Sequence, residues 1–170
     1  MLLRAFLSAG IDTTVFGLGN VLHLLARHPD AYDKLRADPE LLRAAIDEAM
    51  RVEPVAQQVF RTTARETALG GATLADNYKV MLLIGSSNRD PRQWPNADTF
   101  DIERRPRGTL TFGAGIHGCV GQVIARLEIE ALLTVLMKRV RRFHVAGTPE
   151  LYLNNTLRGL ATLPLAIETA

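Results

Sequence analysis

Residues 110–121 read Leu-Thr-Phe-Gly-Ala-Gly-Ile-His-Gly-Cys-Val-Gly. The stretch contains Gly113-x-Gly115-x-x-Gly118, a literal match to the dinucleotide-binding fingerprint, and it also holds Cys119, the single cysteine of the chain. A phosphate grip of that kind needs a strand before it, a helix after it, and a second strand that ends in an acidic residue about 20 positions on. Here the preceding "LTF" is short for a parallel βαβ core. Lys138-Arg139 stands where the acid is required, and the next strand-like piece, residues 143–146, runs into Gly147. The fingerprint fails on its third condition, and the cysteine becomes the feature to explain.

A lone cysteine is often a small buried hydrophobe. This one sits where a glycine-rich loop meets the start of a helix expected from about Cys119 to Arg142. The unpaired N–H groups and the dipole at a helix start suit an anionic sulfur. The glycines at 113, 115, 118 and 121 let the backbone come close to a flat or bulky partner. An anionic sulfur serves as nucleophile or as metal ligand. A nucleophile needs a base and an orienting group. His117 is only two residues away, and His23, His28 and His144 have no triad company, so a thiol-dependent hydrolase stays a distant rival. A metal held by protein alone needs three or four ligands, which the sequence does not assemble. A thiolate on a metal already held by a macrocycle needs no second protein ligand, and that is haem.

Three further motifs stand upstream of the loop. The first is Ala9-Gly10-Ile11-Asp12-Thr13-Thr14, a carboxylate beside a hydroxyl in an otherwise apolar helix; its plain alternative is a threonine bonded back to its own helix turn. The second is Glu48-Ala-Met-Arg51, whose i,i+3 spacing puts both side chains on one helix face. An isolated pair of this kind is usually a weak surface ion pair. The third is Pro95-x-x-x-x-Phe100-Asp-x-x-Arg104.

Together with Phe112-x-x-Gly115-x-His117-x-Cys119-x-Gly121, these motifs resemble, in order and over essentially the whole chain, the haem-thiolate monooxygenases of the cytochrome P-450 family, of the soluble bacterial type. The resemblance implies haem b as cofactor and Cys119 as axial iron ligand, with electron donation from sulfur favouring O–O cleavage. One atom of dioxygen then enters a small organic substrate and the other leaves as water. It implies that Asp12 and Thr13 deliver protons, that Ala9 and Gly10 leave room for dioxygen, and that Arg61 and His117 meet the haem propionates. Phe112, Gly113 and Gly121 would line the cofactor, with Phe112 keeping the sulfur dry. Glu48, Arg51 and Arg104 would form a buried network bracing the loop. "RTT", "NRDP" and Asn154-Asn-Thr-Leu-Arg-Gly159 look like soluble bacterial members, some of which oxidise aromatic acids. By position, Ser8, Val55, Ala56, Val59 and Leu157 are pocket candidates. A ferredoxin-type iron–sulfur protein is the implied electron donor, with Arg126, Lys138 and Arg139 as a basic landing surface. The alternative is a noncatalytic haem-binding or degenerate fragment.

The fold expected is mainly α with a small antiparallel β region, α+β in class, corresponding to the C-terminal half of the family's fold and forming a single partial domain over residues 1–170. Helices are expected from about residue 2 to Arg27, over Asp30–Ala37 and over Pro39–Val52. Strands are expected between Val55 and Ile84, and around 151–153 and 162–167. The opening apolar spacing of Leu3, Phe6, Leu7, Ile11, Val15, Leu18, Leu22 and Leu25 has no N-cap before it, which suggests a truncated or partial sequence that folds poorly alone. The long helix is expected to bury Ile124, Leu127, Ala131, Leu132, Val135 and Leu136, and to end in the basic cluster Lys138–Arg142.

The net charge of +2 is too small to indicate nucleic acid. One cysteine excludes an internal disulfide and fits a cytoplasmic setting. No membrane partner is expected, since the longest uncharged run, residues 13–26, is short for a span and holds Gly17, Gly19 and Asn20.

Overall fold

The computed structural model describes residues 2–170, except the side chains of residues 2, 3, 5 and 6; the expected roles of Leu3 and Phe6 in the opening apolar stripe lie outside the described residues. Five helices and eight strands follow in chain order. They are α1 (Leu2–Arg27), α2 (Pro29–Ala37), α3 (Leu42–Val52), β1 (Gln58–Thr62), β2 (Thr67–Leu69), β3 (Ala72–Leu74), β4 (Lys79–Leu83), α4 (Ile84–Ser87), α5 (Gln122–Arg139), β5 (Val140–Val145), β6 (Glu150–Leu151), β7 (Leu160–Thr162) and β8 (Leu165–Thr169). The strands form four antiparallel pairs, β1 with β4, β2 with β3, β5 with β8 and β6 with β7. The class is the expected one.

Local chemistry sets most boundaries. His28-Pro29 ends α1 and starts α2, because proline suits a first helical position. Asp38 caps the short 3-10 turn over Pro39–Leu41 by accepting from the Glu40 N–H at 3.1 Å. The turn at Gly70-Gly71, both with positive φ, joins β2 to β3.

One core holds these elements together. Val21, Leu24 and Leu25 of α1 meet Tyr32 and Leu35 of α2, Ala45, Ile46 and Ala49 of α3, Ile129 and Leu133 of α5, and Val140 and Phe143 of β5. The Tyr32 ring packs edge-on to Phe143 at 4.6 Å, and its hydroxyl donates to the Val140 carbonyl at 3.1 Å. Leu7–Arg27 is, by length and mean hydropathy (1.2), long and apolar enough to cross a membrane, a match the uncharged run did not anticipate. Val21, Leu24 and Leu25 within it are buried in this core.

Two expectations for the long helix are corrected. It starts at Gln122 rather than Cys119 and ends at Arg139, where β5 takes over with Val140 and Phe143 buried. The basic cluster is therefore split: Arg141 pairs with Glu168 and Arg142 with Asp33 from the strand. The buried stripe is Ile129 and Leu133, whereas Ile124, Leu127, Ala131, Leu132 and Val135 are exposed and Leu136 is half-buried. The helix is apolar on more than one side, so periodicity alone cannot choose the inward face. Leu7, Ile11 and Val15 of α1 are likewise exposed.

Candidate functional site

The loop of residues 110–121 is held by its own backbone. The Cys119 N–H donates to the Phe112 carbonyl at 2.7 Å, Gly113 N–H to Leu110 at 2.9 Å, and Gly118 N–H to Gly115 at 3.0 Å. These three amides are spent within the loop, and the first helical residue comes three positions after Cys119. Gly113 is required by geometry. Its φ is +72°, and a Cβ there would lie 2.5 Å from the His117 carbonyl oxygen. The Cys119 thiol is exposed and free, with Ile116 and Val120 exposed beside it; its sulfur lies 3.9 Å from where a Cβ on Gly121 would be.

Gly113→Ala is expected to destabilise the protein by about 1–2 kcal/mol for the left-handed backbone alone, with the carbonyl clash in addition. Thermal unfolding should fall by roughly 2–8 °C; an unchanged midpoint would show that the loop has no such constraint.

The loop is tied to a buried polar network. Arg51 and Glu48 are fully buried on α3 and meet through two bonds, Nε to Oε2 at 2.7 Å and Nη2 to Oε1 at 2.8 Å. Arg51 also donates to the carbonyls of Asn88 (2.7 Å), Ala97 (2.8 Å) and Thr99 (3.2 Å), so all of its guanidinium donors are used. Arg104 Nε reaches Glu48 Oε1 at 2.9 Å, and the Asp101 N–H reaches the same oxygen at 3.2 Å. The trio expected from sequence is assembled. The link to the loop runs through a residue that sequence reasoning missed. Buried Asn88 accepts from the Leu110 N–H at 2.8 Å and donates to Thr111 Oγ1 at 3.0 Å, while Thr111 donates to the Met50 carbonyl at 2.8 Å. The only sequence signal was an asparagine opening the irregular segment before "RDP".

Arg61 on β1 and His117 in the loop line one cavity of about 550 Å³, together with Phe60, Thr62 and Lys79. The two expected propionate partners therefore border the same space, with Arg61 donating to the Phe60 carbonyl at 2.7 Å. Lys79 was missed: it reaches the site through its register opposite Thr62, which sequence does not disclose.

On α1, Thr13 Oγ1 donates to the Ala9 carbonyl at 2.6 Å, so the helix-turn bond that was the plain alternative for Thr13 is present. Asp12 is exposed and Thr13 half-buried, as neighbours diverging by about 100° on a helix must be. Ala9, Gly10 and Ser8 are exposed, and a Cβ at Gly10 would meet nothing.

Among the pocket candidates, Ala56 bridges to Leu157, and the Arg158 N–H donates to the Val55 carbonyl at 2.7 Å. Val59 is half-buried opposite Leu82. Val55 itself is buried, close to Gly17 on α1, which makes it a wall residue rather than an open surface. Gly159 lets this turn seat on α1, since a Cβ would lie 2.1 Å from the Phe16 ring. Arg126, expected as part of a basic landing surface, is 17% exposed in its side chain and bonds Asp47 Oδ1 at 2.7 Å.

The residues fit a haem. A free thiol on a glycine-built loop supplies the ligand, and Arg61 and Lys79, with His117 of the same loop, border a cavity that suits the carboxylates. Among the described residues no group of three or more His, Cys, Asp or Glu side chains could hold a metal ion by itself.

Comparison with known proteins agrees with this geometry. The cytochrome P450 family model matches residues 1–168. The cytochrome P450 CYP199A2 of Rhodopseudomonas palustris is 48% identical over 170 residues, covering all of this chain and 41% of that protein. The beta-dihydromenaquinone-9 omega-hydroxylase of Mycobacterium bovis is 36% identical over 161 residues, 95% of this chain and 33% of its own length. The crystal structure of CYP108D1 from Novosphingobium aromaticivorans superposes with a TM-score of 0.91 at 37% identity, covering 96% of this chain and 40% of that one. The chain thus spans about two-fifths or less of the length of these relatives.

Proposed function

The chain belongs to the cytochrome P450 family, whose cofactor is haem b, and on that premise we propose that it is the haem-binding part of a monooxygenase. The reaction proposed inserts one atom of dioxygen into a small organic substrate, with an aromatic acid as the first class to test. A ferredoxin-type iron–sulfur protein would supply electrons, in the cytoplasm. The observation that carries the reading is the free Cys119 thiol on a loop whose backbone is tied to the buried Glu48–Arg51–Arg104 network.

When bound, haem supplies iron that activates dioxygen and accepts the cysteine sulfur as ligand. The residues of the chain divide the remaining work. Cys119 offers its sulfur from a loop fixed by the Phe112 carbonyl. Arg61 and His117, with Lys79 beside them, hold the carboxylates of the cofactor by charge-assisted hydrogen bonds. Phe112 anchors that loop, its carbonyl taking the Cys119 N–H and its ring lying under Arg126. Thr13 uses its proton on the Ala9 carbonyl, so its oxygen is left to accept from a water. Asp12, exposed one residue earlier, passes protons from solvent to that water. Ala56 and Leu157 form the substrate wall.

The test is the difference spectrum of the reduced, haem-loaded protein with carbon monoxide. A red-shifted Soret band of the thiolate type is expected, and a band without that shift would sink the proposal. Turnover of an aromatic acid with a ferredoxin and its reductase then separates an enzyme from a noncatalytic haem binder, and reduction that is insensitive to salt would count against the electrostatic docking of an acidic donor.

A further inference from the structure

Arg126 lies in the second turn of α5, seven residues after Cys119. Three groups fix its guanidinium. Nε donates to Asp47 Oδ1 on α3 at 2.7 Å, and Nη1 donates to Gln122 Oε1 at 3.1 Å and to the Gln122 carbonyl at 3.4 Å. Its Cζ then sits over the Phe112 ring, 4.3 Å from the centroid. Phe112 in turn accepts the Cys119 N–H on its backbone carbonyl at 2.7 Å. One residue is therefore gripped twice, at its carbonyl by the cysteine and at its ring by a cation that α3 and α5 hold in place.

Resting on the haem-thiolate reading above, the geometry points to Arg126 as a positioning residue of the thiolate loop. A planar guanidinium stacks on an aromatic face and forks to a carboxylate at once, which an ammonium cannot do. Phe112 cannot turn without losing the cation, and Arg126 cannot leave without abandoning Asp47. The stack fixes the Phe112 ring, and with it the residue whose carbonyl takes the Cys119 N–H, and it sets the cation of the Arg126–Asp47 pair against that ring. Adding an electron to the iron–sulfur unit adds negative charge, so a fixed nearby cation favours the reduced form. Arg126 thus sets the potential of the site without touching cofactor or substrate.

The experiment is redox titration of the haem-loaded protein with resonance Raman measurement of the iron–sulfur stretch, for Arg126→Gln, Arg126→Lys and Asp47→Asn. Arg126→Gln is expected to lower the ferrous-to-ferric ratio at a fixed potential about threefold, roughly 30 mV at 59 mV per tenfold for one electron, and to shift the iron–sulfur stretch. Arg126→Lys keeps the charge but not the stack and should restore less than half of the shift. Asp47→Asn frees the guanidinium and should shift the iron–sulfur stretch in the same direction by a smaller amount, while the loss of its negative charge opposes the fall in potential. A potential and a stretch unchanged in Arg126→Gln, or full restoration by lysine, would overturn the positioning role. If Arg126→Gln does not fold, Asp47→Asn decides, and an unchanged stretch there overturns it equally. If the wild-type protein lacks the thiolate-type Soret band, the haem-thiolate reading has failed; if that band is present and the Arg126 variants are silent, only this inference has.

Discussion

Arg51→Ala is expected to destabilise the protein by about 3–5 kcal/mol, the range for removing one partner of a buried ion pair. The reason lies in what the substitution leaves behind. Glu48 is fully buried, and its carboxylate would lose two of its bonds while still shielded from water. The carbonyls of Asn88, Ala97 and Thr99 would lose their Arg51 donors at the same time. Each such loss exposes the desolvation cost of an unpaired buried group. At this chain length the thermal midpoint should drop by roughly 6–20 °C. Arg51→Lys should recover little, since an ammonium has three donors in no fixed plane where the guanidinium here uses five. Arg104→Ala should cost less than Arg51→Ala, because the Arg104 side chain is 14% exposed and makes one bond to Glu48. Urea denaturation of the three variants gives the order, and Arg104→Ala costing as much as Arg51→Ala would show that the network is not centred on Arg51.

The parts of this site that sequence discloses are those whose partners lie close along the chain or in a fixed motif. Glu48 and Arg51 stand one helical turn apart, so their meeting follows from helix geometry. Cys119, Gly113 and His117 lie in one loop of twelve residues whose glycine spacing is itself the signal. What sequence hides is register and face. Lys79 lies opposite Thr62 only because β1 and β4 pair as they do, and nothing local fixes that alignment. Asn88 reads as a turn residue, yet it is the joint between Arg51 and the loop. Arg126 reads as a surface cation, yet Asp47, 79 positions earlier, takes it out of solution. The inward face of α5 fails for a different reason. Several of its sides are apolar, and which one is buried depends on where α1 and α3 already stand.

Cys119→Ser is expected to abolish the red-shifted carbon monoxide band entirely while leaving the fold almost unchanged. The two halves of that result have separate causes. The side chain is exposed and makes no structural bond among the described residues, so replacing sulfur by oxygen removes no buried contact, and surface changes of this kind usually stay within about 0.5 kcal/mol. The loop persists because it is built from backbone: the residue 119 N–H still reaches the Phe112 carbonyl, and Gly113 still turns beneath His117. The electronic property, by contrast, belongs to sulfur alone. A thiolate is a soft anion that donates strongly to iron, whereas a serine hydroxyl stays protonated near neutral pH and is a weak neutral ligand. Thermal unfolding of the cofactor-free variant and the spectrum of the loaded one therefore need to be measured together. A serine variant that keeps the band would remove Cys119 as the ligand. A variant that loses band and fold alike would make the cysteine a structural element, contrary to its exposed position.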